Sequence, residues 1–327
     1  MKKTALLCSI LIAVLVALMA ASVCLGSVAI PFKDIVDAVF GFDANEGGAS
    51  SSTVYIVRNI RLPRVLCAVF AGGLLALCGL VFQSVFRNPM ADSYVLGVSS
   101  GASCLIGFDM LLSIGLGSTT AAMVGSTIAC AVLFAVSNGD HNRLLLNGIA
   151  MNFLLSALTT LSIYLGRRQL DSVLYWTMGS LNGSTWTKVA VLAVVSVVSS
   201  VALMIKASAM DLLLLDDSTA ISSGLDVKAA RLMLLAMASA LTAIVVSFCG
   251  IIGFVGLMSP LFARLMVGSR HRRLVPISML VGAVILTSAD LISRVLIAPS
   301  ELPIGIVTAI LGSPVFIFML RRRSNGF

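Results

Sequence analysis

The chain has 327 residues, of which 59% are hydrophobic and 11% charged, a balance that no soluble domain of this size could keep dispersed in water. Its 22 basic and 14 acidic residues give a net charge of +8. The bilayer is the expected solvent, and no nucleic-acid partner is expected.

A spanning helix needs roughly 20 predominantly apolar residues, and ten candidates occur, at roughly residues 5–27, 62–86, 94–113, 118–137, 143–166, 187–206, 229–249, 251–268, 274–297 and 303–320. Backbone amides in hydrocarbon must bond internally, so runs this long predict helices; barrel strands would show alternation over about ten residues. The expected fold is an all-α polytopic membrane protein of one domain, 1–327. The first segment follows Lys2 and Lys3 and has small residues near Ala20 to Ser22, a pattern that a cleaved signal peptide also shares. Nine further apolar segments need no separate export signal, and Val23 before Cys24 is a poor lipoprotein processing site. We read it as the first span.

An even number of spans places both termini on one side, and Lys2, Lys3, Arg321, Arg322 and Arg323 make that side cytoplasmic. Arg87, Arg143, Lys206, Lys228, Arg231, Arg264, Arg270, Arg272 and Arg273 then also fall inside. Outside remain Lys33, Arg58, Arg61, Arg64, Arg167, Arg168, Lys188 and Arg294. Snorkelling to lipid phosphates accounts for outer arginines singly. A docking surface for an acidic external partner accounts for them together: Arg58, Arg61 and Arg64 lie three apart, and a helical turn would present all three guanidinium groups to one side.

In the outer loop at 28–60, Phe32, Ile35, Val36, Val39 and Phe40 recur at helical spacing against Lys33, Asp34 and Asp37, which predicts a short helix lying in the interface plane. The stretch from Asp43 to Thr53 is rich in Gly and Ser and reads as a loop. Further on, the run Arg87-Asn88-Pro89-Met90-Ala91-Asp92 and the series Gly250, Gly253, Gly256 to Ser259-Pro260 interrupt apolar segments. Broken spans are tolerated against protein or a water-filled cavity, so these breaks are candidate walls of a transport pathway; close helix packing explains the glycines equally well. The inside loop at 207–228 reads as two short helical pieces, with Asp217 or Ser218 able to cap the second. It can dock a soluble subunit or simply connect two spans. Asp290 and Arg294 are four apart in the ninth span and can form a structural ion pair.

Cys8, Cys24, Cys67, Cys78, Cys104, Cys130 and Cys249 lie in apolar segments without metal-ligand spacing, and His141 and His271 are isolated in sequence, so neither a metal nor a catalytic site is expected. There is no G-x-x-x-x-G-K-[ST] phosphate loop and no H-E-x-x-H. Any energy for transport must come from another subunit.

The sequence resembles the membrane subunits of the bacterial ABC importers for ferric siderophores, haem and cobalamin. The likeness spans nearly the whole chain. It is carried by Arg61-Leu62-Pro63-Arg64, Gly79 to Gln83, Asn88 to Asp92, Leu96 to Ala102, Trp176 to Leu181, Gly253-Phe254-Val255-Gly256-Leu257, Ala289-Asp290, Arg294, Glu301 to Gly305 and Gly312 to Phe316. This resemblance implies the type II ABC importer permease fold with ten spans in the bacterial inner membrane. It also implies a second permease subunit, identical or paralogous, two cytoplasmic ATPases that carry ATP and Mg2+, and an external substrate-binding protein. On this resemblance Arg61, Arg64 and Arg294 match positions that receive the binding protein's acids. Asp217, Ser218, Thr219, Ala220 and Gly224 match the coupling loop to the ATPase, and Asn88, Pro89 and Met90 match the inner constriction. Departures are Leu261, where the family usually has His after the proline, and Asp216, Ile221 and Ser223 in the coupling loop, where Gly, Arg and Leu are usual. Two other functions fit the residues alone: an ion-coupled carrier using Asp290, and a non-transporting membrane scaffold.

Overall fold

The computed structural model describes residues 2–26, 30–40, 51–92, 97–137, 141–166 and 170–324, and among these every regular element is a helix. In chain order they are α1 (Lys2–Cys24), α2 (Phe32–Phe40), α3 (Ser51–Tyr55), a π-helical turn (Ile56–Arg61), α4 (Leu62–Val85), α5 (Val98–Leu112), α6 (Ser118–Ser137) and α7 (His141–Leu165). There follow α8 (Leu170–Thr177), α9 (Trp186–Ile205), α10 (Ala207–Leu213), α11 (Asp217–Ser222), α12 (Val227–Cys249), α13 (Val255–Val267), α14 (His271–Val295) and α15 (Ile304–Ser324). The Gly/Ser stretch expected at 43–53 lies largely outside the described residues, as do Arg167 and Arg168.

All ten apolar segments form helices; among the described residues seven are long and apolar enough to span, α5 and α13 are shorter, and α15 runs 21 residues, Ile304–Ser324. The expected start at 251 was too early, and the one at 94 lies outside the described residues. The second span is longer than expected: Ser52–Val85 is continuous, because the π-helical turn, in which Leu62 N donates to Val57 O, carries the chain into α4 past Pro63, whose missing N–H leaves one carbonyl of that turn without a helical donor.

α4 is the core of the fold. Twenty of its 24 residues are buried, and it packs against α14, α13, α12 and α9. α5 packs on α6 and α7, and this group joins the rest through α12. Small residues set these distances. A Cβ at Gly72 would meet the Gly282 carbonyl, one at Gly79 would collide with the Gly256 carbonyl, and one at Gly101 would lie 2.6 Å from the Gly125 oxygen. In a membrane, where hydrocarbon competes with side chains for apolar contact, such close backbone approach is what holds helices together. Pro260 lies inside α13 rather than at its break. Its ring nitrogen leaves the Gly256 carbonyl without a helical donor, and that carbonyl faces Gly79.

Near the N-terminal end of α4 lies a small apolar cluster of Val23, Ile35, Ala38, Val57 and Val65. It seats α2, whose helical spacing the sequence predicted, between α1 and the π-helical turn. Arg58 Nε donates to the Ala38 carbonyl at 2.6 Å and fixes the end of α2.

Candidate functional site

The two sequence breaks meet at a groove. A cavity of ≈ 550 Å³ is lined by Met90 and Asp92 from the first break, Ile251, Gly253, Phe254 and Leu257 from the second, Thr177 and Met178 at the end of α8, and Gly305, Ile306 and Ala309 on α15. Backbone groups freed by the breaks are bonded across it. Ser180 N donates to Cys249 O (2.8 Å), Ile304 N to Gly179 O (3.1 Å) and Gly305 N to Met178 O (3.0 Å). This is how irregular backbone survives at membrane depth. Gly250, at φ +68°, has no room for a Cβ against the Trp176 carbonyl, so the crossing of the two chains requires glycine there. Asn88 and Met90 are exposed, Pro89 is half-buried, and Met90 N donates to Asn88 Oδ1 at 2.9 Å, closing the turn on itself.

At the N-terminal end of α4, charges gather in the interior. Arg64 Nε donates to Asp290 Oδ1 at 2.8 Å, and its Nη1 donates to both carboxylate oxygens of Glu301, at 3.0 and 2.8 Å. Asp290 Oδ2 lies 3.1 Å from Arg294 Nη2, an ion-pair distance without hydrogen-bond alignment. Arg294 also donates to Ser22 Oγ and to the Leu25 carbonyl. Arg61 Nη1 donates to the carbonyls of Val23 and Cys24, at 2.6 and 2.9 Å. The cluster thus ties α1, α4, α14 and the segment before α15 together. A buried charge is tolerated when it is paired and hydrogen-bonded, and Arg64, Asp290 and Arg294 are both.

This corrects the expected one-sided arginine face. Arg61, Arg64 and Arg294 are 5%, 6% and 3% exposed, and they turn toward carbonyls and carboxylates of their own chain. Arg58 alone of the three-apart series is exposed, because Arg58 and Arg61 lie within the π-helical turn, whose wider winding breaks the regular spacing.

At the C-terminal end of α4, Asp217 is the hub. Arg231 Nη1 and Nη2 reach its Oδ2 and Oδ1 at 3.0 and 2.7 Å, and Arg87 Nη2 reaches Oδ1 at 2.5 Å. The hydrogen bonds from Arg231, and then those from Arg87, hold its carboxyl below the usual range. The cap of α11 is Asp216, not Asp217 or Ser218 as expected: its carboxylate accepts from Thr219 N at 3.2 Å, from Thr219 Oγ1 and from Ser218 Oγ. Those bonds bring the Asp216 carboxyl down to about 2 from 3.8. Thr219 is spent on this cap, Ala220 is fully buried, and Gly224 turns the chain at φ +84°.

Sequence reasoning missed several of these residues. His271, which looked isolated, is fully buried, with Nδ1 2.7 Å from Asp211 Oδ1 and Nε2 2.6 Å from Ser84 Oγ. The order Ser, His, Asp is that of a nucleophile and its base, but Ser84 is fully buried and its hydroxyl donates to Leu80 O at 2.7 Å. The trio is a tie between α4, α14 and α10. Gln83 bridges as well, donating to Leu257 O at 3.0 Å and accepting from Arg264 Nη1 at 2.8 Å. For Gln83 a polar residue inside an otherwise apolar run was the available signal; His271, flanked by Arg270 and Arg272, offered none.

Apolar helices interrupted at a common groove, with a charged cluster at either end of the central helix, define a membrane transport permease. The chain matches the FecCD transport family over residues 13–322 and belongs to it. It is 39% identical to the cobalamin import system permease protein of Halobacterium salinarum, covering 84% of this chain and 76% of that one. It is 37% identical to the hemin transport system permease protein of Yersinia pestis, covering 82% and 84%. Its fold matches a solved inward-facing metal-chelate type ABC transporter with a TM-score of 0.85 at 29% identity, over 96% of this chain and 98% of that one.

Proposed function

We propose that this chain is the non-catalytic permease subunit of a bacterial inner-membrane ABC importer, with both termini cytoplasmic, carrying a cobalamin, haem or iron-siderophore type chelate. The observation that carries the reading is the groove, where two interrupted helices expose small and apolar side chains along one open flank. A wide apolar wall suits a bulky chelate better than a bare ion, which would need converging oxygen or nitrogen ligands. A second permease subunit, identical or paralogous, closes the pathway. Asn88, Pro89 and Met90 form its inner constriction.

Two cytoplasmic ATPases, holding ATP and Mg2+, engage the segment with Asp217, Ser218, Thr219, Ala220 and Gly224. This is supported by α11, which is capped by Asp216 and exposed at Ser218, Thr219 and Ile221, while α10 beside it is anchored in the bundle through Met210 and Leu213. An external binding protein docks at the outer end, where Arg61, Arg64 and Arg294 outnumber Asp290 and Glu301; the excess positive charge favours an acidic partner. Glu301, whose side chain is 29% exposed, is the group that such an acid displaces from Arg64. An ion-coupled carrier built on Asp290 is opposed by the pairing of that carboxylate with Arg64 at 2.8 Å.

The test is reconstitution in liposomes with the cognate ATPase and binding protein, measuring uptake of radiolabelled cobalamin, haem and ferric siderophore. Uptake of one of these should require ATP hydrolysis and survive collapse of the membrane potential. Uptake that follows the potential and ignores ATP would establish the carrier instead, and none under any condition would leave a scaffold.

A further inference from the structure

Arg87 stands between the inner loop and the turn that follows α4. Its backbone is left-handed, at φ +49°, a conformation that a residue with a Cβ holds only when its surroundings impose it. The side chain shows what imposes it. Nε donates to the carbonyl of Leu213, the last residue of α10, at 2.7 Å, and Nη2 pairs with Asp217, the first residue of α11, at 2.5 Å. One guanidinium therefore spans both short helices of the loop. Asp217 is held from the other side by Arg231 of α12, whose side chain is 13% exposed.

The turn beyond Arg87 is stiff. Pro89 fixes its own φ, Met90 N is bonded to Asn88 Oδ1 at 2.9 Å, and Ala91 N donates to Asn88 O at 3.1 Å. Rotation about the Arg87 backbone moves these residues as one body, and Met90, 50% exposed, is the one that reaches the groove.

We propose that Arg87 is a positioning residue that carries displacement of the 207–222 loop to the Asn88–Met90 turn, and so sets the opening at the inner end of the groove. Such a signal requires two states that differ in contacts. When the loop shifts against α12, its bonds to Arg87 shift with it, and the left-handed backbone loses what holds it. The proposal rests on the importer reading of the loop, but its readouts do not depend on which chelate is carried.

The experiment uses the assembled complex with its ATPase, a Met90→Cys reporter and the seven native cysteines replaced. Two quantities are followed with and without nucleotide: the rate at which a water-soluble thiol reagent labels the reporter, and hydrogen exchange of the loop amides at 217–223. In Arg87→Gln, nucleotide should still alter loop exchange, while the change in reporter labelling shrinks about tenfold, the middle of the usual range of coupling strengths. Arg87→Lys, which keeps the charge on Asp217, should recover part of the response.

An unaltered labelling response in Arg87→Gln overturns the proposal. So does loss of both readouts together, which would make Arg87 a mere prop for the loop. If Arg87→Gln fails to assemble, Arg87→Lys decides: a full response refutes the proposal and a reduced one supports it. A complex that behaves as expected in both readouts yet takes up no chelate would overturn the importer reading alone.

Discussion

Arg64 and Glu301 lie 237 positions apart in sequence and meet through two hydrogen bonds, of 3.0 and 2.8 Å, at the N-terminal end of α4. The same guanidinium donates to Asp290. One side chain thus serves a fully buried acid and a partly exposed one, and the two should differ sharply in what they contribute.

Arg64→Ala would leave Asp290 buried beside one remaining cation. We expect a loss of about 3 to 5 kcal/mol, the usual cost of breaking a buried pair from one side. Glu301→Ala removes a partner at the solvent edge and should cost about 1 kcal/mol or less. Thermal unfolding in detergent, with the two variants side by side, checks the ranking. Equal losses would mean that Asp290 is reached by water.

Docking gives Glu301 a second, opposite effect. If an external acid takes its place on Arg64, Glu301→Gln removes the competitor and binding of the external protein should tighten, by up to about tenfold. Arg64→Glu, Arg61→Glu and Arg294→Glu should weaken binding and uptake. Reversal of the matching acid on the partner should restore part of the loss. A double-mutant cycle at low and high salt measures this, and binding by all three arginine variants at the normal level would remove the outer cluster from the docking surface.

Helix contacts predict a steric ranking. Gly79→Ala puts a methyl group into the Gly256 carbonyl and should cost about 1 to 3 kcal/mol, because both partners are backbone and neither can step aside. Gly224→Ala meets no atom and pays only for its left-handed φ, about 1 kcal/mol. Melting temperatures of the two variants test the order.

The inner loop should resist mild acid. The Asp216 carboxyl titrates at about 2 in the fold against 3.8 outside it. A depressed acid stabilises above its unfolded pKa and loses that contribution as the pH falls through its folded value. The cap on α11 should therefore hold from neutrality down to about pH 4 and fail between there and pH 2. Asp216→Asn should preserve the cap and Asp216→Ala should fray it, as read by hydrogen exchange at the Thr219 amide at neutral pH. Equal exchange in the two variants would assign the cap elsewhere.

Much of the architecture was legible because it follows from single-residue chemistry repeated along the chain. Apolar length gave the ten helices, helical spacing gave α2, and Asn-Pro with the glycine series marked the regions of both breaks. What stayed hidden depends on partners far away in sequence. Nothing local says that Arg64 turns inward, since its partners are Asp290 and Glu301. The π-helical turn defeats the three-residue spacing on which an arginine face was expected. His271 looks isolated until α10 brings Asp211 against it. The shift of the α11 cap from Asp217 to Asp216 is different: both are good caps by type, and the choice falls to Arg87 and Arg231, which engage Asp217.

α4 begins at the outer charge cluster and ends one residue before the Phe86–Arg87 turn, with nearly all of its surface locked against four neighbouring helices. A helix so enclosed has little void to bend into, so a shift at one end would be carried to the other. Whatever free energy a contact at its N-terminal end adds to one position of the helix is then felt at its C-terminal end, and the reverse holds by the same factor. An external protein that favours one setting would change nucleotide affinity on the far side of the membrane by as much as nucleotide changes the grip on that protein. Measuring either one gives the other.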